Sequence, residues 1–196
     1  MTEHKTIEEI LQDETQITSS ESTIESAQES VSETSKSQEA TGYTSETVIE
    51  LLKKSLNIHW QQTTTLSAQA VHLERWGYKK LAEAIKADAE EEHAHAMINL
   101  ERLEFFDSDY QPLIVAPLVW KRHDMVAIIN YNLASVREAS TVERATIVAA
   151  RSVGDELTAN MMIPLLKGSE DGILLYESYL KLIEQMGLDN FLSIQV

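Results

Sequence analysis

The sequence predicts an all-α protein, in which a four-helix bundle has a long crossover between helices 2 and 3 and a short C-terminal fifth helix. From residue 45 onward, apolar side chains recur at spacings of three and four over four long stretches, as in amphipathic helices. No strand-like alternation of useful length appears. A disordered acidic tail precedes the bundle, because residues 1–47 carry eleven acids against two lysines.

The tail is rich in serine and threonine, which fill 15 of the 35 positions from 12 to 46. Three sizeable aliphatics, Ile17, Ile24 and Val31, cannot offset the entropy of ordering this segment. We therefore divide the chain into a disordered tail, residues 1–45, and a helical domain, residues 46–196. One short patch, Thr6 to Gln12, has the pattern of a turn or two of helix.

The first two helices are separated by Gly77. Helix 1 begins at Ser45, and its inner stripe is Val48, Leu52, Ser55, His59, Thr63, Leu66, Ala70 and Leu73. Helix 2 runs from about Tyr78 to Phe106, and its inner stripe passes through Leu81, Ile85, Asp88, Glu92 and His95. The tight link makes the two helices antiparallel.

A long link, Asp107 to Pro117, leads to helix 3, which we predict from about Leu118 to Ser152. Its inner stripe is Val126, Ile129, Leu133 and Val136. Asp155 is the predicted N-cap of helix 4, which ends at Gly187. Its stripe is Met162, Leu165, Ser169, Gly172, Tyr176, Tyr179 and Ile183. Helices 3 and 4 are again joined tightly, so the link from helix 2 must run the length of the bundle.

The net charge of −16 argues against nucleic acid or an anionic membrane as a partner and is compatible with cations. The chain has no cysteine, so a metal site must use histidine and carboxylate, which suits iron, manganese or zinc. The acidic N-terminus lacks the pattern of a secretory signal, and no apolar run is long enough for a membrane span. A cytoplasmic location is the default expectation.

The polar residues on the inner stripes are the candidate metal ligands. Glu92 and His95 form a Glu-x-x-His pair, whose helical spacing points both side chains at one spot. With His59 facing them from helix 1, the set suits a non-haem Fe(II)-type site. Asp88, one turn earlier, is a further ligand or a hydrogen-bond acceptor behind the ligands. Two alternatives to a metal site are a charged, solvated face and an inward histidine satisfied by core hydrogen bonds. We interpret Glu90, Glu91 and His93 as such a solvated face.

The domain resembles bacterioferritin, within the ferritin-like superfamily. The motifs that carry the resemblance are "VIELLKKSLN", "RWGYKKLAEAI", "EEEHAHAM…LERLEFF", "NMMIPLLK" and, most specifically, the ending "IEQMGLDNFLSIQV". The resemblance implies a hollow multi-subunit shell, Fe(II) oxidation at a di-iron centre inside each bundle, and storage of the ferric mineral. It also implies haem held between two subunits by a methionine from each.

Carried over position by position, the family's bridging glutamate and histidine of helix 2 fall on Glu92 and His95, and its helix 1 glutamate falls on His59. The helix 3 glutamate falls at about Val136, and the Glu-x-x-His of helix 4 falls on Ser169 and Gly172. One iron position thus keeps three candidate ligands and the other loses its own. We expect a water-filled pocket beside Ser169 and Gly172.

The haem-ligating methionine falls on His93, which can also ligate haem iron; the alternative is an ordinary exposed or interface histidine. A second, local resemblance links "NIHWQ" (Asn57 to Gln61), with His72, to the Dps family of DNA-protecting mini-shells. The C-terminal motif and the acidic tail favour the larger shell.

Three functions follow. The first is an iron-binding, iron-storage shell subunit with an incomplete di-iron centre; any ferroxidase activity is reduced or altered, and Zn or Mn can replace iron. The second is a non-catalytic structural subunit that co-assembles with an active ferritin paralogue. The third is a Dps-like or mononuclear metal protein.

Overall fold

The computed structural model describes residues 42–110 and 124–196. Within them the chain forms four long helices and a short one: α1 (Ser45–Arg75), α2 (Lys79–Phe105), α3 (Met125–Ser152), α4 (Glu156–Met186) and α5 (Leu188–Ser193). The all-α prediction and the predicted fifth helix are confirmed. The patch at residues 6–12, nearly all of the predicted tail and most of the predicted link after helix 2 lie outside the described residues.

The ends of the helices follow local hydrogen-bonding chemistry. Thr44 and Thr47 form a reciprocal capping box, so α1 begins at Ser45 as predicted. The side chain of Asp155 accepts a hydrogen bond from the backbone N–H of Thr158, which confirms it as the N-cap of α4. Gly187 joins α4 to α5 with a φ of 81°, a left-handed conformation that glycine adopts readily.

The described part of α3 starts after an aspartate cap. Asp124 is the N-cap, and its carboxylate accepts a hydrogen bond from the backbone N–H of Ala127. The described helix therefore begins at Met125, and the predicted start at about Leu118 lies outside the described residues. An aspartate placed directly before the apolar stripe was the available signal.

The packing of the helices sets the topology. Helix α1 packs against α2 and α3, and α4 packs against α3 and α2. The late half of α1 meets the start of α3 at Gln69 and Asn132, whereas His59 meets Glu143 farther along α3, so α1 and α3 are antiparallel. Because α1 and α2 are also antiparallel, α2 and α3 run in the same direction. The end of α2 and the start of α3 therefore lie at opposite ends of the bundle, as a crossover connection requires.

Two apolar clusters fill the two ends of the bundle. The first apolar cluster includes Val48, Leu51, Leu52, Leu103, Met162 and Leu165. The second apolar cluster includes Leu66, Leu73, Leu81, Ile85, Ile129, Leu133, Tyr176 and Phe191. Phe191 is fully buried and fastens α5 onto the second cluster. Between the clusters lies a layer of buried polar side chains.

Among the described residues, no helix is both long and apolar enough to cross a membrane.

Candidate metal centre

The polar layer takes at least one side chain from each of the four long helices. Helix α1 contributes His59, α2 contributes Glu92 and His95, α3 contributes Glu143, and α4 contributes Ser169. All five are buried, and His59 and Glu143 are fully excluded from solvent. Buried charges of this kind require polar partners. Here the contacts run from Glu92 to His59, Glu143 and Ser169, from one side of the bundle to the other.

The three predicted ligands meet in the structure. His59 Nδ1 lies 2.5 Å from Glu92 Oε2, and His95 Nδ1 lies 3.8 Å from the same oxygen. One ligand atom from each residue can be chosen so that all three lie within 4.8 Å of one another. His95 Nδ1 is buried and has no hydrogen-bond partner, although it points at the carboxylate. The helical spacing of Glu92 and His95 thus brings both side chains to one spot, opposite His59.

Two carboxylates control the charge of His59. Burial would lower its pKa, but Glu143 and Glu92, on its two ring nitrogens, outweigh burial and raise the pKa to about 9. Burial would likewise raise the pKa of Glu92, yet His59 and His95 lower it to about 2. Without metal, a proton between His59 and Glu92 therefore neutralises part of the carboxylate charge. A bound metal ion must displace that proton.

The donor set fits a first-row divalent metal. Two imidazoles and one carboxylate suit Fe(II) or Zn(II). Nitrogen and oxygen ligands about 2.0–2.2 Å from one ion lie about 3.0–3.5 Å from each other. The 3.8 Å between His95 and Glu92 is close to that separation, and the 2.5 Å between His59 and Glu92 must widen by about 0.5–1 Å.

Glu143 is the member of the layer that the sequence analysis missed. Its Oε1 accepts a hydrogen bond from Ser169 Oγ at 3.1 Å and lies 3.2 Å from His59 Nε2, within ion-pair distance but without the alignment of a hydrogen bond. It stands seven residues beyond Val136, two turns along the same helix face. Extending the inner stripe of helix 3 from Val136 through Ser140 would have reached it.

An aliphatic contact fills the place that the resemblance assigned to a second iron. A Cβ placed on Gly172 would lie 3.2 Å from Val136 Cγ1, so the two residues are in tight contact. On the other side, the hydroxyl of Ser169 is engaged by Glu143. The expectation of a water-filled pocket is therefore wrong beside Gly172, because Val136 occupies that space. Val136, Gly172 and Ser169 offer no carboxylate or imidazole there.

Asp88 lies near the centre but outside the group of three. It is half-buried, and its Oδ2 accepts a hydrogen bond from the buried hydroxyl of Tyr176 at 2.9 Å. Burial raises the pKa of Asp88, and the hydrogen bond from Tyr176 opposes that rise. The hydrogen bond goes to Tyr176 and not to one of the three candidate ligands, so both roles predicted for Asp88 stay predictions.

The other charged and imidazole side chains of the "EEEHAHAM" segment face outward. Glu90, Glu91 and His93 are exposed, as the charged-face interpretation expected. His93, the candidate haem ligand, makes an edge contact with the ring of Trp60, with ring centroids 5.3 Å apart. Glu91 reaches back over the rim of the site, where its Oε1 lies 3.7 Å from His95 Nε2.

A close approach of α4 limits the position of His95. A Cβ placed on Gly168 would lie 2.9 Å from His95 Cε1, closer than such atoms pack. The imidazole therefore rests directly on the α4 backbone, and a side chain at position 168 would require the ring to move. No sequence pattern pointed to Gly168, because the contact depends on the distance between two helices.

The sequence model of one protein family, described as the ferritin-like domain, matches residues 49–186. The match covers nearly all of the four long helices, and with them every residue of the polar layer.

Proposed function

Because the chain belongs to the family of ferritin-like domains, we propose that it is an iron-binding subunit of a bacterioferritin-like shell that keeps one metal position of a two-metal centre. The observation that carries this proposal is the buried meeting of His59, Glu92 and His95 from two helices. Buried carboxylate and imidazole groups on facing helices are how metal sites are built inside helical bundles.

The bacterioferritin assignment, rather than a smaller Dps-like shell, is supported by the C-terminal segment. The motif "MGLDNFLSIQV" folds as the end of α4 followed by α5, and Phe191 is buried in the second apolar cluster. A helix attached in this way to the end of the bundle is what the resemblance implied for the larger shell. The charge of −16 is also unfavourable for DNA binding.

A one-metal centre predicts slow iron chemistry. Paired-iron oxidation needs two metals bridged by carboxylates, and Val136, Ser169 and Gly172 supply no ligand for the second. In this proposal, His59, Glu92 and His95 hold Fe(II), while the surrounding apolar clusters keep bulk water away. We propose that uptake and storage of iron dominate over rapid oxidation.

Metal content of the purified full chain tests the assignment. After loading with Fe(II) under anaerobic conditions and desalting, we expect about one ion per chain in the wild type, since three ligands define one position. His59→Ala, His95→Ala and Glu92→Gln should each abolish it. Glu90→Gln is the matched control, because Glu90 is an exposed glutamate on the same helix. Equal iron content in the control and in all three ligand variants would contradict the proposed site.

Aerobic addition of Fe(II), followed by ferric absorbance and particle size, tests the mechanism. We expect slow ferric formation with growth of a large particle. A fast burst at two irons per chain would show that a second position is active after all.

A second function, a non-catalytic subunit that co-assembles with an active paralogue, is favoured by one observation. The hydrogen bond between His59 and Glu92 pairs these two groups through a proton in place of a metal. This alternative predicts no bound iron and shell assembly only on co-expression with a ferritin that has a complete centre.

A further inference from the structure

Glu143 is a buried carboxylate for which the proposed triad gives no role. It is fully excluded from solvent. One oxygen faces His59 Nε2 and the hydroxyl of Ser169, and the other is buried without a hydrogen-bond partner. Burying a carboxylate is costly, so its position calls for a physical reason.

Its position relative to the triad excludes a direct ligand role. Glu143 contacts the Nε2 edge of the His59 ring, whereas Glu92 Oε2 contacts the Nδ1 edge. The two carboxylates therefore stand on opposite sides of one imidazole. Among the described residues, the group whose ligand atoms come within 4.8 Å of one another contains His59, Glu92 and His95 and not Glu143.

An imidazole can bind a metal only through a nitrogen that carries no proton. Which nitrogen that is depends on the partner of the other one. A carboxylate beside Nε2 stabilises a proton on Nε2, which leaves the lone pair of Nδ1 directed at Glu92 and His95. The negative charge beside Nε2 also makes Nδ1 a stronger donor.

We propose that Glu143 is a positioning residue that holds His59 in the Nε2–H form, so that Nδ1 is the metal-binding atom. This inference rests on the proposed metal site. Ser169 has a supporting role, since its hydroxyl donates to Glu143 Oε1 and keeps that oxygen near the ring. Ser169 on α4 thus contributes to the centre through its hydrogen bond to Glu143 on α3, although it is not one of the proposed ligands.

The test compares Zn(II) binding by the wild type, Glu143→Gln, Glu143→Leu and the control Glu138→Gln. Glu138 is an exposed glutamate on the same helix. Loss of the polar partner behind a ligating histidine typically weakens metal binding by about 10- to 100-fold. We expect Kd for Zn(II) to rise about tenfold in Glu143→Gln, which keeps an acceptor but loses the charge, and more in Glu143→Leu. The control should match the wild type.

Long-range ¹H–¹⁵N NMR of the Zn-loaded protein supplies a readout that a purely structural role would not move. We expect His59 in the wild type to show a proton on Nε2 and metal on Nδ1, and Glu143→Leu to lose that single form. Glu143→Gln conserves shape, so it remains informative if Glu143→Leu does not fold.

The outcomes separate the two proposals. If the wild type binds neither Zn(II) nor Fe(II), the proposed metal site is wrong and this inference falls with it. If the wild type binds and Glu143→Gln has the same affinity and the same His59 tautomer, or if metal sits on Nε2, the inference about Glu143 alone is overturned.

Discussion

Replacing Gly168 by alanine should displace His95 and weaken metal binding. The added Cβ would lie 2.9 Å from His95 Cε1, whereas ordinary contacts of this kind are 3.4–4 Å. The ring must therefore move by about 0.5–1 Å, because the α4 backbone cannot easily yield. Metal–ligand distances tolerate only about 0.2 Å. We expect Kd for Zn(II) to rise at least about tenfold, which corresponds to about 1.4 kcal/mol.

Gly172→Ala is the matched control for this variant. It makes the same substitution one turn along the same helix, but its Cβ meets Val136 Cγ1 at 3.2 Å instead of a ligand. In both variants a helix-propensity gain of about 0.5–1 kcal/mol opposes an overpacking cost of about 1–3 kcal/mol, so unfolding stability alone does not separate them. The Kd for Zn(II), measured by isothermal titration calorimetry, separates the two variants. If Gly168→Ala binds as tightly as Gly172→Ala, the argument about His95 is refuted.

Three further predictions concern stability. Arg102→Met should lower the free energy of unfolding by about 1–3 kcal/mol in urea titrations, because it removes the hydrogen bonds of a buried guanidinium to Asp155 and Thr158. The exposed Arg137→Met should cost about 1 kcal/mol or less. Against burial, hydrogen bonds from the first turn of α4 and from Arg102 lower the pKa of Asp155. The stability that Asp155 contributes is thus complete above about pH 3.9 and is lost as the pH falls through its folded-state pKa. Asp155→Asn should therefore flatten the fall in the free energy of unfolding over that acidic range. An unchanged fall would count against the assignment. Gln69→Leu should lower the free energy of unfolding by about 1–3 kcal/mol, because Asn132 loses both hydrogen bonds of a buried amide pair. Adding Asn132→Leu should restore part of that stability. A double variant less stable than the single variant would contradict this.

The residues of the triad could be predicted because helical periodicity alone determines which side chains share a face. His59 continues the stripe of Val48 and Leu52, and Glu92 and His95 are three residues apart on one helix. Such positions follow from residue order. The identity of the facing nitrogen, Nδ1 of His59, does not, since it depends on side-chain rotation in the packed bundle.

Glu143 could not be found by carrying ligands over from a resemblance, because that method looks only at positions where the family has ligands. The family's helix 3 ligand falls at about Val136, which is not a ligand. The carboxylate enters the layer two turns later and reaches His59 from the opposite side. Gly168 and the contact between Val136 and Gly172 are likewise matters of distance between helices, which residue order does not encode.

The polar layer also determines the vertical alignment of the four helices. Apolar stripes repeat every turn or so, and leucine packs nearly as well against one leucine as against the next. If α3 slid by one turn, Glu143 would leave His59 and Ser169 and enter an apolar cluster as an unpaired buried charge. A single buried polar position is known to select one alignment among several in this way. The layer therefore acts as an alignment mark for assembly of the bundle, even in a chain that never meets a metal ion.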